Sequence, residues 1–332
     1  MNIASGPGPS NMKLTVISWR SLRIVIAACL LLFLATQVNL SYTLDVLANA
    51  EWRHLVTVLA LLFLTRLLAA YRWYALLKHV DQTVAFGNIL RLVFVSGFVG
   101  YFMPGTLGIE ALRIYGFART TANPALAVAS VAVDRVLGTF ALILLALFGL
   151  ALLPATLPAG VAPDALPDGL ATVGWIGLLA LVALVVAGLE PRLRRLALRL
   201  LFRWRRVQDG VRKVFGILDT YRARPWALLW NAIVAVGFHL LRCAAVGVGA
   251  AAFGVELPWV VYVAITPLIT MLARIPISIA GLGVQEAGFV YLYGIFGMPA
   301  EVALVLSLVM RACTILSSAP GAWFYVVRGV RA

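Results

Sequence analysis

Acidic residues are scarce in this sequence: only 13 of its 332 residues are Asp or Glu, and residues of either charge make up 12%. So few charged groups cannot cover a solvated surface, which excludes an ordinary soluble globular protein. The chain is instead 63% hydrophobic, with a mean hydropathy of +0.99. Several apolar runs reach the roughly 20 residues that cross a bilayer as a helix. We therefore predict an all-α polytopic membrane protein.

Cysteine and histidine are also rare, with three residues of each. Cys29, Cys243 and Cys313 stand singly in apolar segments, without a Cys-x-x-Cys pair or a nearby His cluster. This pattern predicts neither a disulfide framework nor a metal site, and we expect no cofactor. The sequence also lacks a nucleophile elbow, a His-based metal motif and a Gly-Lys-Ser/Thr phosphate loop. We therefore expect that the protein is not an enzyme and does not hydrolyse ATP.

The apolar runs divide the chain into membrane segments. Residues 1–21 form a Gly-, Pro- and Ser-rich cytoplasmic tail, and 22–332 form a single transmembrane domain. The first run resembles a signal peptide, because Ala48-Asn49-Ala50 offers a cleavage site. That site lies about ten residues beyond the run, so we favour an uncleaved span. We predict about six full spans, at roughly 22–39, 54–77, 124–155, 169–189, 226–254 and 300–327.

Two further apolar stretches, at about 86–118 and 259–297, are broken near their middles by Pro and Gly. These residues interrupt helices, and free backbone groups are tolerated at membrane depth only where they face protein or water. We predict that both stretches are re-entrant broken hairpins. The elbow residues are Pro104, Gly105 and Gly108 in the first hairpin and Pro276, Ser278, Gly281 and Gly283 in the second.

The net charge of +14 comes from Lys and Arg at the ends of apolar runs. This grouping is typical of topology signals and contacts with anionic lipid, and it argues against nucleic acid as a partner. In the basic segment at about 190–224, arginines at helical spacing predict either an amphipathic helix bound to anionic lipid or a topology signal alone. The positive-inside rule places this segment, both termini, Arg72 and Lys78 on the cytoplasmic side.

Three charged residues in the apolar segments recur 176 positions later. The pairs are Arg66 with Arg242, Glu110 with Glu286, and Arg135 with Arg311. Three matches at one offset are hard to ascribe to chance, and transporters often contain repeats of opposite orientation. We predict an inverted-topology repeat with halves at about 54–155 and 226–327, joined through the basic cytoplasmic segment.

Charged side chains near the bilayer centre cost several kcal/mol unless they are paired or hydrated, so those in this chain are functional candidates. Arginines outnumber carboxylates among them, and Arg can bind phosphate through two parallel hydrogen bonds. We predict a site for a lipid phosphate headgroup, the alternative being pairing that only locks helices together. The substrate-binding candidates are Arg66, Glu110, Arg113, Asp134, Arg135, Arg242, Arg274, Glu286 and Arg311. His239 either lines this site or is simply hydrogen-bonded.

Stretches such as GYFMPGTLGIEALRIYGFAR and PISIAGLGVQE resemble the lysylphosphatidylglycerol synthase transmembrane, or flippase-like, family. This family includes the membrane half of the multiple peptide resistance factor. The resemblance implies re-entrant helices and lipid movement between leaflets, and we expect the bacterial inner membrane as location. Family members more often have Gly-Asp where this chain has Gly108-Ile109-Glu110. Because the sequence ends at residue 332, we expect no aminoacyltransferase domain and no synthesis of the aminoacylated lipid.

Together these features predict a lipid translocator of the flippase or scramblase type, whose partners are membrane lipids with phosphate headgroups. We expect Glu110 and Glu286 both to release their arginines when phosphate arrives, so that no charge is left unpaired. Two alternatives remain open. One is a coupled transporter of a small soluble anion, and the other is an accessory subunit partnered with a lipid-synthesis enzyme.

Overall fold

A computed structural model describes residues 45–101, 108–121, 123–156, 169–190, 205–275 and 281–328. Within these ranges the regular structure is helical, without a strand. The helices are α1 (Trp52–Lys78), α2 (Phe86–Gly100), α3 (Gly108–Thr121), α4 (Pro124–Thr156), α5 (Leu170–Leu189), α6 (Arg205–Arg222), α7 (Pro225–Ala251), α8 (Trp259–Leu272), α9 (Val284–Gly294), α10 (Ala300–Ser317) and α11 (Pro320–Arg328).

Four helical stretches are long and apolar enough to cross a membrane. They are Trp52–Lys78, Pro124–Ala155, Pro225–Ala251 and Ala300–Val327. At about 1.5 Å per residue, each is longer than the roughly 30 Å hydrocarbon layer. They coincide with four predicted spans, and α5 covers a fifth. The predicted span at 22–39 lies outside the described residues, so the class of α-helical membrane protein is confirmed while the count of six spans stays a prediction.

At both predicted elbows one described helix ends before the elbow and the next begins after it. In the first stretch α2 ends at Gly100 and α3 begins at Gly108, and in the second α8 ends at Leu272 and α9 begins at Val284. The four arms have 11 to 15 residues, too few to cross the hydrocarbon layer at about 1.5 Å per residue. These lengths are those expected of broken hairpins, and re-entry into the same leaflet stays a prediction.

Two elbow glycines adopt backbone angles that other residues disfavour. Gly281 and Gly283 have φ values of 71° and 80°, in the left-handed region that Gly populates without steric cost. The other predicted elbow residues of the second hairpin, Pro276 and Ser278, lie outside the described residues. So do Pro104 and Gly105 of the first.

The two predicted halves meet where α1 packs on α7 and also through the first arm of each hairpin. Arm α2 packs on α11, and arm α8 packs on α4. A Cβ added at Gly149 of α4 would lie 2.5 Å from the backbone nitrogen of Ala264, and one at Gly321 of α11 would meet the Phe94 carbonyl. Helix backbones approach this closely only where a small residue stands between them. Each arm is therefore held by the last helix of the opposite half.

Apolar clusters fill the space between the described helices, and the two largest lie in different parts of the fold. The larger includes Tyr262, Ile265 and Tyr293, and the smaller includes Trp73 and Phe117. Helix α6 belongs to the basic segment and packs mainly on α4. The amphipathic helix predicted from the arginines at 192–206 falls largely outside the described residues.

Candidate functional site

A cavity of about 220 Å³ lies among helices of both predicted halves. Five of the nine predicted substrate-binding residues line it: Glu110, Arg135, Arg242, Arg274 and Arg311. The cavity thus collects four arginines and one carboxylate from α3, α4, α7, α10 and the end of α8. Its remaining wall is largely apolar and includes Phe238, Val246, Ile269, Phe289 and Met310.

In the first half, Glu110 and Arg135 form an ion pair in the cavity wall. Arg135 Nη1 donates a hydrogen bond to Glu110 Oε1. Both side chains keep some access to the cavity, with 35% of Arg135 and 19% of Glu110 exposed. The second carboxylate oxygen, Glu110 Oε2, accepts no hydrogen bond from any described residue. Half of this carboxylate is therefore without a hydrogen-bond donor.

The second half contains a pair at the same sequence separation, 25 residues, between Glu286 and Arg311. Here Arg311 Nε donates to Glu286 Oε1 at 2.8 Å, and Arg311 Nη2 lies 2.7 Å from the same oxygen in an ion pair. The other oxygen, Oε2, accepts the backbone N–H of Gly283 at 2.7 Å. Glu286 is fully buried, and it closes the first turn of α9 as a capping residue. This carboxylate is therefore saturated on both oxygens.

Arg242 stands in the cavity without a carboxylate partner among the described residues, and its Nε donates no hydrogen bond to them. Its repeat equivalent, Arg66, donates Nη2 to the Thr314 carbonyl at 3.3 Å and lies 5.9 Å from the ring centre of Tyr101. The charges of Arg66 and Arg242 also act on each other. These two arginines therefore supply positive charge that no described carboxylate neutralises.

Two further cavity residues are held by polar groups of α4. Arg274 Nη1 donates to the hydroxyl of Thr139 at 3.0 Å. His239 Nε2 lies 3.0 Å from the carbonyl oxygen of Gly138, and because that oxygen can only accept, Nε2 carries the proton. His239 both lines the cavity and is hydrogen-bonded, so each interpretation of it was partly right.

Asp134 and Arg113 belong to a second cluster, which does not line the cavity. Arg72 grips Asp134 in a bidentate arrangement, with Nε to Oδ1 at 2.7 Å and Nη2 to Oδ2 at 2.9 Å. Arg113 Nη1 lies 3.7 Å from the same Oδ2 and its guanidinium lies 5.5 Å from the ring centre of Trp73. Asn231 donates to the Arg72 carbonyl.

Arg72 and Arg91 are the two buried arginines of the described residues that sequence reasoning missed as candidates, and Arg72 is the one that pairs with a predicted site residue. Its place near the end of an apolar run predicts only a topology signal, but its side chain is buried and its guanidinium holds Asp134. Its position inside the apolar run at 54–77 was the available signal. No group of three or more His, Cys, Asp or Glu side chains that could hold a metal occurs in the part of the chain that the structure describes.

Comparison with known proteins gives one family. The sequence model of the lysylphosphatidylglycerol synthase TM region matches residues 20–321. This match covers most of the chain and confirms the resemblance seen in its motifs. No curated protein matches the chain.

Proposed function

The chain belongs to the lysylphosphatidylglycerol synthase TM region family, and from this premise we propose that it is a lipid translocator of the flippase or scramblase type. Membership of this family suggests that the chain is a membrane protein involved in lipid modification or lipid translocation. Within that range, the proposed protein moves a phosphate-bearing lipid between leaflets and catalyses no covalent step. Its proposed location is the bacterial inner membrane, with both termini in the cytoplasm.

The observation that carries the proposal is the uncompensated Arg242 in a cavity that three other arginines line. An isolated buried charge is costly, so a guanidinium without a carboxylate is best explained by an anion that comes and goes. A phosphate oxygen pair matches the guanidinium fork and can be shared among several arginines. The proposed ligand is therefore a phosphate group.

Cavity size limits how much of a lipid enters. About 220 Å³ corresponds to roughly seven water molecules at about 30 Å³ each. It lies below the roughly 300 Å³ at which pockets for drug-sized ligands begin. A phosphate with a compact headgroup fits this space, whereas acyl or prenyl chains do not. The proposed path therefore carries the headgroup through the protein while the tails stay in the bilayer.

The proposed motion uses the inverted repeat. Two ion pairs with the same 25-residue separation lie at the elbow helices α3 and α9, and they support an equivalence of the two hairpins. In transporters of this type, repeats of opposite orientation expose a central site to one side and then to the other. Here the two hairpins would open in turn toward the two leaflets.

The test is leaflet exchange of headgroup-labelled lipids in proteoliposomes containing the purified protein. We expect exchange with the wild type, a reduction of at least about tenfold with Arg242→Ala, the order for one lost charge-assisted contact, and no change with Arg53→Ala. Arg53 is an exposed arginine at the start of α1, so it controls for loss of charge alone.

Other results would overturn the proposal. Exchange that is unaffected by Arg242→Ala would reduce the arginines to structural groups. No exchange of any lipid, together with Arg242-dependent uptake of radiolabelled phosphate, would make the protein a transporter of a soluble anion. Absence of both activities would leave the role of an accessory subunit to a lipid-synthesis enzyme as the better hypothesis.

A further inference from the structure

The two equivalent ion pairs differ in how firmly the carboxylate is held. Glu286 receives hydrogen bonds on both oxygens, from Arg311 and from the Gly283 N–H, and is fully buried. Glu110 receives one on Oε1 from Arg135, and Oε2 has no described donor. The first pair also faces the cavity with both side chains partly exposed. Releasing Glu286 would break two hydrogen bonds and a buried ion pair, whereas releasing Glu110 breaks one hydrogen bond within a partly exposed ion pair.

A second arginine is available to Glu110 on its own helix. Arg113 lies three residues further along α3, on the same face, and the charges of Glu110 and Arg113 act on each other. The Nε of Arg113 donates to no described group, and its contact with Asp134 is long, at 3.7 Å. Arg113 Nε is therefore a hydrogen-bond donor without a described acceptor, and Glu110 Oε2, on the same helix, is an acceptor without a described donor.

We propose that phosphate displaces Glu110 from Arg135, that Glu110 then pairs with Arg113, and that Glu286 stays bound to Arg311 throughout. This inference rests on the proposed function and gives the two halves different roles, since the first exchanges its carboxylate for phosphate and the second fixes the wall of the site. Arg135 is paired before and after the exchange, first with Glu110 and then with phosphate. The released carboxylate is paired as well, so no charge is left alone at any stage.

The residues around the exchange leave Arg113 as the receiver. On α4, Asp134 is already held by Arg72 in a bidentate pair. Arg311 of α10 is occupied by Glu286, and Arg274, after α8, donates to Thr139. Arg242 of α7 remains for the phosphate itself. Arg66 of α1 donates to the Thr314 carbonyl and, like Arg242, remains to attract the phosphate. Arg113 is therefore the partner for Glu110 that does not remove an arginine from the ligand.

The test measures binding of dihexanoyl phosphatidylglycerol to the purified full chain in detergent by calorimetry. Glu110→Gln removes the competing charge, so the probe should bind at least about tenfold tighter, the order for one charge-assisted hydrogen bond. Glu256→Gln, an exposed loop carboxylate, should leave the affinity unchanged. Glu286→Gln should lower the unfolding temperature while the affinity of the folded fraction stays within about twofold of wild type, because Glu286 does not compete with phosphate.

A double-mutant cycle tests the role of Arg113, which is a positioning role because it does not touch phosphate. Arg113→Met should weaken binding in the wild-type background, since the released Glu110 then has no partner. In the Glu110→Gln background it should have little effect, because no carboxylate needs to be received. Equal weakening in both backgrounds would overturn the transfer of Glu110 to Arg113. The cycle does not use Glu286→Gln, so it remains decisive if that variant does not fold.

The outcomes separate the two proposals. The wild type could bind inorganic phosphate but neither dihexanoyl phosphatidylglycerol nor dihexanoyl phosphatidylcholine. The lipid function then fails, while the displacement of Glu110 is tested with inorganic phosphate as the probe. If the wild type binds the lipid and Glu110→Gln binds it equally well or more weakly, the proposed displacement of Glu110 fails and the lipid function stands. Binding of no probe overturns both.

Discussion

Arg72 and Arg242 are both arginines inside long apolar helices, yet their surroundings are opposite. Arg72 meets a carboxylate through two short hydrogen bonds and is out of contact with the cavity. Arg242 lines the cavity and pairs with no described carboxylate. The same side chain can thus serve two purposes in one membrane protein. Where the countercharge belongs to the protein, as at Arg72, the arginine fixes helices. Where no described carboxylate supplies it, as at Arg242, the proposed function assigns the arginine to an anionic ligand.

Removing the countercharge of Arg72 should have the largest effect. Asp134→Ala leaves Arg72 and Arg113 buried without their carboxylate, and loss of one partner of a buried pair costs about 3–5 kcal/mol. We expect a strongly lowered unfolding temperature in detergent. Asp209→Ala, an exposed carboxylate of α6, is the matched control. An unfolding temperature like that of wild type would mean that the Arg72–Asp134 pair contributes no more to stability than the arginines of the cavity do.

Substitution of Arg242 should not lower the free energy of unfolding, in contrast to substitution of Asp134. Arg242→Met keeps much of the side-chain volume and removes a charge that lacks a carboxylate partner among the described residues. We expect the free energy of unfolding to be retained or to rise by about 1–2 kcal/mol, as when buried charges are replaced by apolar groups. Thermal unfolding measures this, in parallel with the exchange assay. A large loss of stability would show that Arg242 is a structural residue like Arg72.

Lysine substitutions sharpen the comparison by keeping the charge and changing the geometry. Arg72→Lys cannot make the two parallel hydrogen bonds to Asp134, and we expect a loss of about 1.5 kcal/mol, the order of one charged hydrogen bond. Arg242→Lys has no such arrangement to lose, so its unfolding temperature should match wild type. Equal losses in the two variants would contradict the distinction.

The smallest effect is expected at Thr139, whose hydroxyl accepts from Arg274. Thr139→Val removes that acceptor while keeping the shape. Arg274 has further interactions, so we expect a loss of no more than about 1 kcal/mol in stability. Lipid exchange should change less than about threefold. Chemical unfolding and the exchange assay would detect a larger effect, which would place Thr139 among the groups that fix the site.

The sequence was a good guide to where helices start and stop. Long apolar runs predicted the helices that α1, α4 and α7 form, because hydrophobicity along the chain directly reflects the bilayer. Pro and Gly predicted both interruptions, which the structure places after Gly100 and Leu272. The sequence also predicted that Glu110 and Glu286 pair with arginines of the repeat without indicating which ones, and the structure pairs each with the arginine 25 residues further on.

The direction in which each charge points could not be predicted in the same way. Arg72 and Asp134 are 62 positions apart, and their meeting depends on the rotation of α1 and α4 about their axes. Hydropathy does not encode that rotation when a helix is apolar on all sides. One signal of the difference between the hairpins was present, since the position equivalent to Gly283 is Leu107. Gly283 presents its N–H to Glu286 from a φ of 80°, a left-handed angle that Leu disfavours.

The glycine contacts between the halves have a mechanical consequence. Arm α2 is fastened to α11 through Gly321, and arm α8 is fastened to α4 through Gly149. Each half thus contributes one arm that packs against the other half, and separating the halves as rigid bodies would break both contacts at once. The second arms, α3 and α9, pack mainly on helices of their own half and take no part in these two glycine contacts. Of these, α3 carries the carboxylate with fewer hydrogen bonds, so in the proposed alternation the first hairpin would open at the smaller cost in hydrogen bonds.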